Sequence, residues 1–173
     1  MSFTIRFGVL GLSCIFFSWT STFAAQDVTV IGTHGVWTAY MYQEDSAAVC
    51  YMASGPTKAE GNYTRRGDIF MLVTHRPAEN AFDVVSVVAG YPYKNNSDVS
   101  ISVGSRIYEL FTHGERAWAR DVATDKAMVQ SMIRGNTMII KGTSSRGTLT
   151  TDTYSLRGFT AAHKTISMSC NVN

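Results

Sequence analysis

Short β-forming segments separated by turn residues are the feature that most constrains the fold of this chain. The segments after residue 26 are rich in Val, Ile, Tyr and Phe, and Gly, Pro, Asn or Asp interrupts them at short intervals. Strands of this length, with turns about every 8–12 residues, are typical of antiparallel sandwiches and barrels. The sequence therefore predicts a mainly β fold, an antiparallel β-sandwich-like single domain.

One hairpin is specific enough for its register to be predicted. Apolar residues alternate with serines over 99–103, and Gly104-Ser105 follows as a two-residue turn. Because a two-residue hairpin loop fixes which residues lie opposite each other, we expect Ile101 to face Tyr108 and Val99 to face Leu110. The alternation also gives the hairpin one apolar face.

Two segments change to the helical period. Residues 124–134 carry apolar side chains at helical spacing, with Thr124 as the expected cap and Gly135 as the expected end. After Gly158, four residues share one helical face: Phe159, Ala162, Ile166 and Cys170. The pattern predicts one internal helix and a short C-terminal helix.

The first 25 residues have the composition of a secretory signal peptide. Arg6 precedes an apolar run over 7–19, and small residues follow at Ala24 and Ala25. This run is shorter than the roughly 20 apolar residues that a membrane-spanning helix needs. We therefore predict a cleaved signal peptide over 1–25, an exported domain over 26–173, and no transmembrane segment in the mature chain.

The cysteines support a disulfide in the exported domain. The chain has three cysteines, and Cys14 lies inside the predicted signal peptide. In an oxidising compartment, Cys50 and Cys170 have a single intramolecular pairing, so we predict a Cys50–Cys170 disulfide. The alternatives are two unpaired buried thiols and, at the N-terminus, a lipoprotein acylated on Cys14.

Charge and motif content argue against several functional classes. A formal net charge of +2 is too small and too mixed to indicate nucleic acid as a partner. The four histidines lie far apart in the sequence, so their spacing predicts no metal site. The chain has no nucleotide-binding fingerprint and no nucleophile elbow. We predict a protein that is not an enzyme and uses no cofactor; a hydrolase whose Ser, His and acid meet only in the fold is the alternative.

Two groups of residues are candidates for recognition. Tyr91 and Tyr93 flank Pro92 just after a predicted strand, and we predict an exposed aromatic patch there for a partner, the alternative being that the rings pack inside. The notable cationic side chains are those of the pair Arg65-Arg66 and of Arg146 in the predicted Arg146-Gly147 turn. An Arg can bind an external anion, but an internal pair, for example with Asp68 or Asp152, is the favoured interpretation.

Essentially the whole predicted mature chain resembles a known family, most distinctively over residues 144–159. The segments Ser144–Thr148 (SSRGT) and Asp152–Leu156 (DTYSL), then Gly158-Phe159 and a terminal Cys170, resemble the invasion-associated locus B family, and upstream pieces such as Cys50–Ser54 fit in the same order. The resemblance implies a small exported β-rich protein of Gram-negative bacteria, periplasmic or associated with the outer membrane. Founding members are linked to entry into red cells. The resemblance supplies no catalytic residue, cofactor or defined ligand.

Together these observations predict a non-enzymatic envelope protein that binds another envelope or host protein and, in some bacteria, promotes invasion of red cells. An exported hydrolase and a structural protein of envelope integrity are the alternatives. Within the distinctive C-terminal segment we expect structural rather than chemical roles, with Asp152 in a charge-assisted bond and aromatic anchors for the last helix. The residues of this structural motif are Arg146, Gly147, Asp152, Tyr154 and Phe159.

Overall fold

The computed structural model describes residues 27–172, so the predicted signal peptide over 1–25 lies outside the described residues. Within this range the chain forms eleven strands and two α-helices. The strands are Thr29–His34 (β1), Trp37–Glu44 (β2), Ala47–Ser54 (β3), Lys58–Gly61 (β4), Phe70–Arg76 (β5), Ala81–Val88 (β6), Val99–Val103 (β7), Arg106–His113 (β8), Arg116–Trp118 (β9), Thr137–Thr143 (β10) and Leu149–Ser155 (β11). The helices are Val122–Arg134 (α1) and Phe159–Ser169 (α2), and Pro77–Glu79 forms a 3-10 turn.

The strands form one open antiparallel sheet in the order β1-β2-β3-β5-β6-β9-β8-β7-β10-β11-β4. Strand β8 joins its two halves, because residues 106–110 pair with β7 and residues 111–113 pair with β9. The first half is β1, β2, β3, β5, β6 and β9; the second is β7, β10, β11 and β4. The predicted fold class, mainly β and antiparallel with two helices, is confirmed. The two halves of the sandwich-like domain are parts of a single sheet.

The hairpin register agrees with the sequence prediction. Val99 lies opposite Leu110 and Ile101 lies opposite Tyr108. Strand β4 was not predicted: it falls in the polar segment between β3 and β5. Its four residues are all exposed, so it has no alternation of apolar side chains to detect.

Buried side chains from both halves and both helices form one hydrophobic cluster. Trp37 of β2 meets Phe159 of α2 edge to face, with ring centroids 5.0 Å apart, and both rings are fully buried. Helix α2 packs on the first half of the sheet, over β1, β2, β3 and β5, while α1 packs on β6 and β8. Apolar burial on both elements, rather than helix propensity, holds the helices in place.

The ends of α1 correct one prediction and confirm another. The cap is Asp121, whose carboxylate accepts the Thr124 N–H at 2.8 Å, so the prediction of Thr124 as the cap is wrong. Thr124 instead donates its hydroxyl to the same carboxylate. Gly135 ends the helix as predicted, donating its N–H to the Met132 carbonyl. Neither α-helix in residues 27–172 is long and apolar enough to cross a membrane.

The predicted disulfide is formed. Cys50 of β3 and Cys170 at the end of α2 are bonded, with Cα atoms 6.0 Å apart. The bond closes a loop with a sequence separation of 120 residues. In the chain-entropy model a loop of this size corresponds to about 5 kcal/mol of stabilisation. The disulfide therefore fastens the last helix to a central strand.

Candidate functional site: a cleft between the sheet halves

A cleft of about 540 Å³ opens where three segments that are distant in sequence come together. Residues 62–67 follow β4, residues 90–92 follow β6, and residues 144–150 include the turn between β10 and β11. The first and third of these segments belong to the β4–β11 edge of the sheet, whereas the second leaves the opposite half. The cleft therefore lies between the two halves of the sheet.

Close backbone contact holds two of these segments against each other. Gly67 donates its N–H to the carbonyl of Gly90 at 2.8 Å. Gly90 has φ +70°, and a Cβ at this position would collide with the carbonyl oxygen of Gly67. Only glycine meets both requirements without strain.

A network of hydrogen bonds fixes the turn over 144–148. Ser144 and Thr148 bond through their backbones at 2.9 Å, and the Ser144 hydroxyl also accepts the Thr148 N–H at 3.1 Å. Ser145 donates its N–H to the Pro92 carbonyl at 2.7 Å. Gly147 occupies the left-handed region with φ +85°. The turn presents Arg146 at the cleft, and the Ser144 hydroxyl is used in turn formation.

A buried ion pair lies beside the cleft. Arg66 donates from both terminal nitrogens to the two carboxylate oxygens of Asp152, each at 2.6 Å, and its Nε donates to the Ala89 carbonyl at 2.7 Å. Both charged side chains are only 4% exposed. The Tyr91 and Tyr63 rings lie 4.9 and 5.5 Å from the Arg66 guanidinium carbon. The expected internal bond of Asp152 is therefore present, with Arg66 rather than Arg146 as the cation.

The two candidate tyrosines are not a free surface patch. Tyr93 is only 5% exposed, because its backbone bridges to Ser144 and its ring fills the space left by Gly142. Tyr91 is half-buried, packs against Tyr93 with centroids 5.3 Å apart, and shares a 2.6 Å hydrogen bond with the Thr150 hydroxyl. The prediction of an exposed pair is therefore wrong for Tyr93. Tyr91 lines the cleft and is the member that a ligand could contact.

Two cations at the cleft have no ion-pair partner within residues 27–172. Arg65 and Arg146 line it and are exposed, and neither forms an ion pair or side-chain hydrogen bond with another residue of the described range 27–172. Glu115 is the acidic residue of the lining. No sequence signal could have grouped Arg65 with Arg146, because the two come together only through the pairing of β4 with β11.

The remaining residues of the predicted structural motif are buried. Tyr154 and Phe159 are fully inaccessible. Among the described residues, the Tyr154 hydroxyl has no hydrogen-bond partner. Burial raises the pKa of Tyr154, so the hydroxyl stays protonated. Phe159 of α2 packs against Trp37 of β2, whereas the anchoring role of Tyr154 stays a prediction.

A second polar cluster, which the sequence did not predict, lies beneath α2. His75, Asp83 and His163 bring possible metal-ligand atoms within 4.8 Å of one another. His163 Nε2 lies 2.7 Å from Asp83 Oδ1, although 80 residues separate them. However, His75 Nδ1 accepts the backbone N–H of Asp83 at 3.1 Å, so the proton of the neutral ring is on Nε2, 3.1 Å from the Ser167 hydroxyl.

This hydrogen-bond pattern fits a network better than a metal site. With Nδ1 already accepting and Nε2 protonated, His75 has no lone pair for a metal ion. Burial lowers the pKa of His75, outweighing the opposing effect of the Asp83 charge, and keeps the ring neutral. The cluster joins α2 to β5 and to the start of β6.

Comparisons with known proteins agree with this architecture. A family model described as "Invasion associated locus B (IalB) protein" matches residues 37–167. The chain is also similar to the crystal structure of invasion associated protein B from Bartonella henselae. That similarity has a TM-score of 0.54 and 15% identity, and it covers 86% of this chain and 99% of the other. At this identity the likeness shows the fold alone. No curated protein sequence matches the chain.

Proposed function

Because the chain belongs to the invasion-associated locus B family, we propose that it is an exported envelope protein that acts by binding a partner and catalyses no reaction. The observation that carries this proposal is the cleft between the sheet halves. Its buried ion pair is internally satisfied, whereas Arg65, Arg146 and Tyr91 remain available to a ligand. This arrangement supports recognition without a metal or cofactor.

Export is supported by the composition of residues 1–25 and by the Cys50–Cys170 disulfide, since such bonds persist in oxidising compartments. We propose a location in the periplasm or at the outer membrane. Intact-mass analysis of protein recovered from the envelope should show cleavage after Ala24 or Ala25. A mature species that retains Met1, or one acylated on Cys14, would contradict this.

The family description, "Invasion associated locus B (IalB) protein", supports a proposal for the class of partner. The structural neighbour from Bartonella henselae is named an invasion associated protein. We propose that the partner is a protein of the envelope or of a host cell, and that in some bacteria the binding promotes entry into red cells. An alternative role in envelope integrity would predict detergent sensitivity when the gene is lost, with no dependence on Arg65 or Arg146.

The hydrolase alternative has one specific candidate. Ser167, His75 and Asp83 come together, with the Ser167 hydroxyl 3.1 Å from His75 Nε2. A Ser-His-Asp triad needs Nδ1 to donate to the carboxylate and Nε2 to accept the serine proton. In this site Nδ1 accepts a backbone N–H instead, so His75 carries its proton on the wrong nitrogen for a base. This geometry argues against a hydrolase triad at this cluster.

Cross-linking in intact cells tests the binding role. A photoreactive amino acid in place of Ser145, an exposed serine at the cleft, is compared with the same group in place of Ser105, an exposed serine in the β7–β8 turn outside the cleft. We expect a discrete adduct from position 145 and none of the same mass from position 105. Identical adduct patterns, or no adduct from position 145, would contradict a partner at the cleft.

A further inference from the structure

We propose that the cleft is an anion site that binds a carboxylate on an acidic peptide segment of the partner, held between Arg65 and Arg146. This inference rests on the proposed binding function and names the chemistry that the same site recognises.

The first argument is the charge balance of the arginines. Three of the nine arginines in residues 27–172 are in ion pairs, Arg66 with Asp152, Arg76 with Glu44, and Arg120 with Asp98. Of the six without such a partner in this range, Arg65 and Arg146 line the same cleft, although they come from segments far apart in the sequence. A guanidinium offers five N–H donors in a planar fork that matches a carboxylate. The cleft therefore presents unmatched donors to any ligand that enters.

The second argument is that both arginines stand on fixed backbone. Arg65 directly precedes Arg66, whose side chain makes three hydrogen bonds of 2.6–2.7 Å. Arg146 lies in the turn closed by the Ser144–Thr148 bonds and tied to Pro92. Fixed attachment points lower the entropy that is lost when a ligand binds. These arginines therefore differ from isolated cations on a mobile surface.

The third argument concerns the size and charge of the ligand. The 540 Å³ volume lies within the usual range for a binding pocket. Glu115 in the lining opposes a ligand that carries several negative charges at one point, such as a phosphate monoester. Asn62, Thr64 and Thr148 add neutral polar groups that suit a peptide backbone. Carboxylates spaced along an extended peptide fit this combination best.

The test measures the fluorescence anisotropy of a labelled oligoglutamate peptide, with an oligoglutamine peptide of the same length as the uncharged probe. Arg65→Gln and Arg146→Gln should each weaken oligoglutamate binding by about tenfold or more, as expected when a charge-assisted hydrogen bond is lost. The matched control Arg106→Gln removes one charge outside the cleft and should change affinity by less than about twofold. Thermal melting should be unchanged in all three variants, because these side chains are exposed.

Three results would overturn the proposal: no oligoglutamate binding, an equal loss in Arg106→Gln, or displacement of the peptide by inorganic phosphate at concentrations where acetate has no effect. Failure here can be told apart from failure of the binding role. A cellular adduct from position 145 that persists in an Arg65→Gln background would refute the carboxylate site but keep the binding role. Oligoglutamate binding without any cellular adduct would support the carboxylate site but contradict the binding role.

Discussion

Removing Arg66 should destabilise the protein far more than removing an exposed arginine that makes an equally short ion pair. The Arg66→Met variant leaves Asp152, which is 3% exposed, as a buried carboxylate without its counter-ion, and it also frees the Ala89 carbonyl. Breaking a buried pair by removing one partner costs about 3–5 kcal/mol. The control is Arg120→Met, whose 2.7 Å pair with Asp98 is 59% and 46% exposed and should contribute about 0–1 kcal/mol.

Urea denaturation followed by tryptophan fluorescence gives the free energy of unfolding for each variant. The double variant Arg66→Met with Asp152→Asn should recover part of the loss, because it removes the unpaired charge instead of leaving it buried. The reasoning is refuted if Arg66→Met costs no more than Arg120→Met, or if the double variant loses the full sum of the two single changes.

The other predictions concern the core, the disulfide and pH. Cys170→Ser should lower the free energy of unfolding by about 2–5 kcal/mol, and an unchanged melting temperature, or two free thiols in the unreduced wild type, would contradict the bond. Phe159→Ala should lower the free energy of unfolding by about 3–5 kcal/mol because its ring is fully buried. Tyr154→Phe should leave the free energy of unfolding unchanged because the Tyr154 hydroxyl has no partner among the described residues. Urea denaturation measures both values, and a larger loss in Tyr154→Phe than in Phe159→Ala would contradict these predictions. Burial raises the pKa of Asp125 to about 6, so the native state holds this proton more tightly than the unfolded chain and stability falls as pH rises toward that value. Asp125→Asn should therefore stabilise the protein relative to wild type at about pH 8 and lose this advantage at about pH 4, and an advantage that is independent of pH would contradict the assignment.

The sequence pattern predicts those helices and strands in which the buried side chains recur with the period of the element itself. The buried face of α2 and the β7–β8 register could be predicted because each depends on residues close in sequence. The cap of α1 was misplaced because Asp121 and Thr124 are both good capping residues and bond to each other, so composition alone does not rank them.

The candidate site could be predicted only in part. Tyr91 was selected from its position after a strand, but the burial of Tyr93 depends on the distant Gly142 and Ser144. The Arg66–Asp152 pair was one of several possible pairings, and only the β4–β11 contact selects it. The cluster around His75 is likewise built from residues that meet only in the folded chain, so sequence spacing gave no sign of it.

Strand β4 has a consequence for the order in which the chain assembles. It lies between β3 and β5 in the sequence, yet its partner is β11, and the flanking Thr57–Thr153 contact spans 96 residues. During synthesis from the N-terminus, β4 cannot pair until almost the whole chain has been made, and contacts of this range form slowly. An unpaired strand of apolar residues would be a template for aggregation, but β4 carries the charged residues Lys58 and Glu60. The exposed, polar side chains that make β4 undetectable in the sequence thus also protect the nascent chain from aggregation.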